Sequence, residues 1–258
     1  MTLTVRIIVI LLICPFLMKA QGRFFRWREN IGDWYLGFNT STSRYCGDLS
    51  ERCNVAHLQL SWSVGGLVQY RFDEYMSLRA DVGLTHLRGD QQYTKNKLNN
   101  LSFSSINTSV SVGVQVDFRS IDYPQYNIPY GWLSLGVISI NPTTLCNGQR
   151  ISLIDLKTEN VTYADWAGAI SYGVGLPLRI SRKVQLRLEG RYTHVLSDYL
   201  DDVSTVYVDK STGSLLAQKL ADRRSELGIA ANRVGAQRGD ASYNDGYFLL
   251  SLQIVYKK

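Results

Sequence analysis

Three histidines, His57, His86 and His194, are the side chains best suited to general acid–base work in this chain. Only His194 has a nucleophile close by in sequence, Ser197, and such a pair would suit a membrane lipase. A triad is recognised by geometry, and no spacing supplies one here, so a strand-end histidine at an interface accounts for His194 better. Asp198, Asp201, Asp202 and Asp209 form an acidic run that could hold calcium. The run lacks the ordered spacing of a calcium loop, so a solvated or loop-bracing cluster is the expectation. No cysteine–histidine spacing matches a zinc site. Two Arg-Gly-Asp tripeptides, at 88–90 and 238–240, would suit integrin-type adhesion, but Gly and Asp are ordinary turn residues. The reading is therefore of a protein that is not an enzyme, with no cofactor and no metal site.

Residues 1–20 are expected to be a signal peptide, with Arg6 as a positive start, an apolar stretch from Ile7 to Phe16, and Ala20 before the cut. Residues 21–32 then form an N-terminal segment and residues 33–258 the folded domain. Cys14 suggests lipidation, yet Ile13 stands where a small residue is needed. Losing residues 1–20 removes Arg6 and Lys19 and leaves 26 basic against 22 acidic residues, with no basic stripe for nucleic acid. Export permits disulfides. Cys46 and Cys53 flank the short segment GDLSER and form a candidate pair, which leaves Cys146 over.

The elements that carry these residues are read from composition and periodicity. With 45% apolar and 19% charged residues the chain is no disordered tract, and its single long apolar run, Val5 to Met18, excludes a polytopic helical membrane protein. Sixteen Tyr, 21 Gly and only 5 Pro favour extended, aromatic-rich strands. From Phe103 to Phe118, Ile106, Val110, Val112, Val114 and Val116 fall on one face, against Ser105, Asn107, Ser109, Ser111, Gln115 and Asp117 on the other. Seven further segments behave similarly, centred on Leu36, Val64, Ala80, Leu135, Val174, Leu186 and Leu252, although 131–140 is poorly phased. The total is eight.

A lipocalin-type barrel would hide the apolar wall. Three features favour lipid contact instead. The strands are long enough to cross a bilayer, and no charged residue occupies the apolar phase of the better-defined ones. Tyr and Trp also crowd the strand ends, at Trp34, Tyr70, Tyr75, Tyr130, Trp132, Trp166, Tyr247 and Tyr256, where an interfacial girdle belongs. Long connections near 43–54, 88–102, 142–166 and 197–245 alternate with 73–74, 119–129 and 181–183, the outside–inside asymmetry of outer-membrane barrels. The fold expected is an all-β, eight-stranded antiparallel transmembrane β-barrel in the outer membrane. Arg79, Asp81, Asp117, Arg179, Arg187, Glu189 and Arg191 fall on the inward phase, and a charge network should plug so narrow a lumen.

Six segments add a resemblance: YCGDL (45–49), LNNLSFSS (98–105), SDYLDDVSTVY (197–207), ADRRSELG (221–228), GAQRGD (235–240) and NDGYF (244–248). In this order they resemble the small outer-membrane β-barrels of Bacteroidetes that include PorG of the type IX secretion system. The most specific piece is Asp198, Tyr199, Leu200, Asp201, Asp202, Val203 and Ser204. The resemblance implies a non-enzymatic secretion component in contact with outer-membrane lipid and with a periplasmic ring of PorK and PorN type. Residues 21–33 and 119–129, the latter with Asp122, Tyr123 and Tyr126, are the expected contacts. The alternative is a general envelope or adhesion barrel whose outer loops bind a partner.

Overall fold

Alternating side chains build long antiparallel strands, β1 (Trp34–Cys46), β2 (Leu60–Arg71), β3 (Met76–Asp90), β4 (Ser102–Asp117) and β5 (Tyr130–Ser139). Two short strands follow, β6 (Thr143–Cys146) and β7 (Gln149–Ser152), before β8 (Trp166–Arg179), β9 (Val184–Val195) and β10 (Gly246–Lys257). The computed structural model describes residues 29–50, 57–121, 127–209 and 213–258. The expected signal peptide, residues 21–28, Cys53, Asp122, Tyr123 and Tyr126 lie outside the described residues.

Each long strand pairs with its neighbours, and β1 closes on β10 from Tyr35↔Lys257 to Cys46↔Gly246. The ring therefore holds eight strands and has no open edge, which satisfies the backbone groups that a hydrocarbon layer cannot. The β6–β7 hairpin stands outside the ring, joined to β4 by one pair, Ser104↔Thr143. At one end β2–β3 and β8–β9 turn tightly, with Asp73 N–H bonding Met76 O and Ser181 N–H bonding Val184 O. Long loops crowd the other end, and the last of them carries a short helix, α1 (Leu215–Ala221).

Over the middle of the ring the apolar phase points outwards. Val112, Leu135, Val174 and Ile254 are each more than half exposed. Ser77, Gln115, Ser134 and Gln253 line the buried inside. Towards the long loops the pattern inverts. Above Leu84 and Ile106 the outward phase becomes His86, Arg88, Ser104 and Ser102, while Leu87, Phe103 and Leu101 turn inwards into an apolar core with Ile138, Val195, Leu200 and Leu249. The inversion marks where the environment of the outer wall changes from hydrocarbon to water.

The aromatic girdle is smaller than the sequence suggests. Trp34, Tyr75, Trp166 and Tyr256 are exposed, and Trp34 packs on Tyr70 with ring centroids 4.8 Å apart. Tyr130, Trp132 and Tyr247 instead lie buried within the ring. A ring with one polar tip suits a polar lumen as well as an interface, and there Tyr130 and Trp132 find charged partners.

Candidate functional site

Mid-lumen, two cations meet two anions. Arg79 Nε and Nη2 donate to the two Asp81 oxygens at 2.8 and 2.9 Å. Its Nη1 and Nη2 also reach Glu189 Oε2 and Oε1 at 2.6 and 3.0 Å. Arg191 Nη2 completes the square, 2.8 Å from Asp81 Oδ1 and 3.4 Å from Glu189 Oε1. The Trp132 ring is flanked by both guanidinium groups, 4.4 Å from Arg79 and 4.5 Å from Arg191. Tyr130 donates to Glu189 at 3.1 Å. Gly175 makes this possible, because a Cβ there would fall 2.2 Å from the Tyr130 ring.

The other expected lumen charges lie nearer the tight turns. Arg187 donates to Gln69 at 2.7 Å beneath the Tyr35 and Tyr130 rings. Asp117 pairs with Arg71, which also reaches Glu29 at 2.8 Å, and Arg179 stands 3.8 Å from Glu29 at the barrel mouth. The cavity among them measures about 20 Å³, enough for about one water. Arg71 is not among the expected lumen charges, although Tyr70 and Phe72 put it on the inward phase. Trp132 is expected in the interfacial girdle rather than the lumen, because its strand shows no polar–apolar contrast.

The second assembly caps the long-loop end, and the six resembling segments converge there. Tyr45 Oη lies 2.6 Å from Asp201 Oδ2 and 2.5 Å from Asp245 Oδ1. A phenol has one hydrogen, so one of these contacts needs a protonated carboxyl as donor. Burial and the neighbouring Asp245 charge push the Asp201 carboxyl well up, and burial pushes Asp245 up to about 7. The pair therefore holds a proton more tightly than two exposed carboxylates would. Gly47 leaves room for it, since a Cβ would fall 1.9 Å from Asp245 Oδ1.

Around this pair the remaining acids tie the loops together. Asp202 accepts from Thr158 Oγ1 at 2.5 Å and Tyr163 Oη at 2.6 Å, while Glu159 accepts from Ser204 N at 2.9 Å and Arg238 at 2.7 Å. Asp48 accepts Asp240 N at 2.7 Å, and Phe103 packs edge-on against Tyr45 with centroids 4.8 Å apart. Asp198, Leu200, Val203 and Ser204 are buried and Tyr199 stacks on Tyr163. Asp201 and Asp202 are thus spent on loop bracing, and Asp209 is exposed.

Neither tripeptide is a free adhesion loop. Arg88-Gly89-Asp90 ends β3, and Arg238 is buried against Glu159 and Asp202. The Ser197 hydroxyl accepts the Tyr199 N–H, whereas His194 lines the cleft that holds Cys46, Tyr172 and Tyr192. His86 lies between Ser61 and Ser104. The candidate disulfide falls on Cys53, outside the described residues.

An apolar outer band around a closed, charge-filled ring defines a transmembrane β-barrel. The chain belongs to the outer membrane protein beta-barrel domain family, whose model matches residues 8–211. It is an outer-membrane protein, its apolar band contacts membrane lipid, and the long loops face outwards. Among solved structures it is similar to Neisserial surface protein A, at 12% identity over 87% of this chain and 97% of that one, TM-score 0.45. It is also similar to OprG from Pseudomonas aeruginosa, at 11% identity over 91% and 99%, TM-score 0.45. Ail of Yersinia pestis shows 12% identity over 89% and 100%, TM-score 0.41. No curated protein matches the sequence.

Proposed function

We propose that this barrel is a non-enzymatic component of the type IX secretion machinery that anchors or contacts a periplasmic ring of PorK and PorN type. The observation that carries the reading is the ordered set of segments from YCGDL to NDGYF, whose resemblance is to PorG-like barrels. Three of them, YCGDL, SDYLDDVSTVY and NDGYF, meet at the Tyr45–Asp201–Asp245 cluster, which supports treating them as one unit rather than as chance matches. A lumen filled by Arg79, Asp81, Glu189 and Arg191 suits an anchor better than a channel. The periplasmic rim exposes Arg119, Arg182, Lys183 and Lys258, a basic edge for an acidic partner surface.

Crosslinking in intact cells, paired with removal of the gene, tests the proposal. The expected result is a trapped ring protein and loss of secreted cargo; normal export without the gene overturns it. Deleting residues 120–128 should weaken copurification with the ring, and unchanged recovery removes that segment from the contact. The alternative, a general envelope or adhesion barrel, draws on the braced outer cap. It predicts that replacing residues 197–245 by a short turn abolishes surface binding while cargo export continues.

A further inference from the structure

A cleft of about 610 Å³ opens on the outer wall just where the apolar band ends. Its floor is the outward phase of β3 and β4, which changes from Leu84 to His86 and Arg88 on β3 and, one step further along, from Ile106, opposite His86, to Ser104, opposite Arg88. Residues 57–59 form one side and the β6–β7 hairpin, with Arg150, the other. The opening exists because the β2–β3 ladder stops at Ser63↔Thr85 while β3–β4 continues to Asp90↔Ser102. Trp62 stacks on His86 at 5.8 Å with its ring exposed, which sets the floor of the cleft at the headgroup boundary.

The charge of the cleft is positive. Arg88 and Arg150 are exposed, and neither forms an ion pair with a described residue. Among the described residues Arg150 Nη1 reaches only the Ser104 hydroxyl, at 3.4 Å. Among the described residues the one carboxylate of the lining, Asp90, is turned to the Gln92 backbone N–H and side-chain amide at 2.9 and 2.7 Å. Two guanidinium-bearing residues lining one cleft at the edge of a hydrocarbon wall match a phosphate ester, which a planar fork of donors binds through two oxygens. Because the floor is continuous with the lipid-facing surface, the ligand arrives with its acyl chains along Leu84 and Ile106.

We propose that this cleft binds the phosphate of an outer-leaflet lipid headgroup between Arg88 and Arg150. The inference is independent of the secretion reading. Its test is native mass spectrometry of the mature protein in detergent with lipid A, with lipid A stripped of phosphate, and with inorganic phosphate. Wild type and the remote control Arg233→Gln should retain one lipid A. Arg88→Gln with Arg150→Gln should bind it about tenfold more weakly. The stripped lipid should bind the wild type as weakly as intact lipid A binds that double variant. Each single variant should show a smaller loss, which keeps the proposal testable if the double variant misfolds. Undiminished binding by the variants or of the stripped lipid overturns the proposal, and displacement by equimolar inorganic phosphate overturns the lipid as the ligand.

Discussion

Arg79 and Glu189, 110 residues apart in sequence, face each other across the lumen through contacts of 2.6 and 3.0 Å. Neither side chain reaches solvent. Such a pair repays its desolvation only when every remaining donor and acceptor is used, and Asp81, Arg191 and Tyr130 use them.

Removing one member should therefore cost more than removing the pair. Glu189→Ala leaves two guanidinium groups short of a carboxylate and should destabilise the barrel by about 3–5 kcal/mol. Replacing Arg79 and Glu189 together by Met should cost distinctly less. Urea unfolding in micelles measures both.

Depth should govern substitutions on the outer wall. Val112→Arg, mid-band, should cost about 2–4 kcal/mol, against about 0–1 kcal/mol for Phe118→Arg beside the tight turns. Equal costs would place both positions in the same medium.

The cap can be loosened separately from the ring. Tyr45→Phe deprives Asp201 and Asp245 of their shared hydroxyl and should cost about 1–3 kcal/mol, localised to the cap. Hydrogen exchange at Leu200 and Val203 should accelerate while the β3–β4 amides keep their protection.

Cap stability should fall as pH rises. Burial, with the Asp245, Asp48 and Glu159 charges added, pushes Asp198 up to about 8, and burial pushes Asp245 up to about 7. Both lie above the unfolded value of about 3.9, so the folded cap holds more protons than the unfolded chain in between. The stabilisation is complete below about pH 4 and is lost as pH climbs through about 7 to 8. Exchange protection at Leu200, corrected for intrinsic rate, should be higher at about pH 5 than at about pH 9, with Asp198→Asn flattening the profile. Protection that rises with pH would contradict this.

The ring was legible because its two walls face media of opposite polarity, which leaves a period-two contrast in β3 and β4. It blurs in β5, where Trp132 and Ile138 turn inwards beside outward Leu133 and Leu135. The β6–β7 hairpin had a usable signal in Asn147-Gly148, both at positive φ, between Cys146 and Gln149. What no local pattern carried was the meeting of Tyr45 with Asp201 and Asp245, 156 and 200 residues away. Nor did it carry the switch of phase above Leu84, where the outer strand ends revert to soluble-protein patterning.

Lipid contact of the apolar band is tested most directly by magnetisation transfer from acyl-chain methylenes to the protein in liposomes, read by solid-state NMR. Val112, Leu135 and Val174 should receive signal from lipid, and Arg79, Glu189 and Gln115 should not. Transfer to Val112 from water, with none from lipid, would contradict the account.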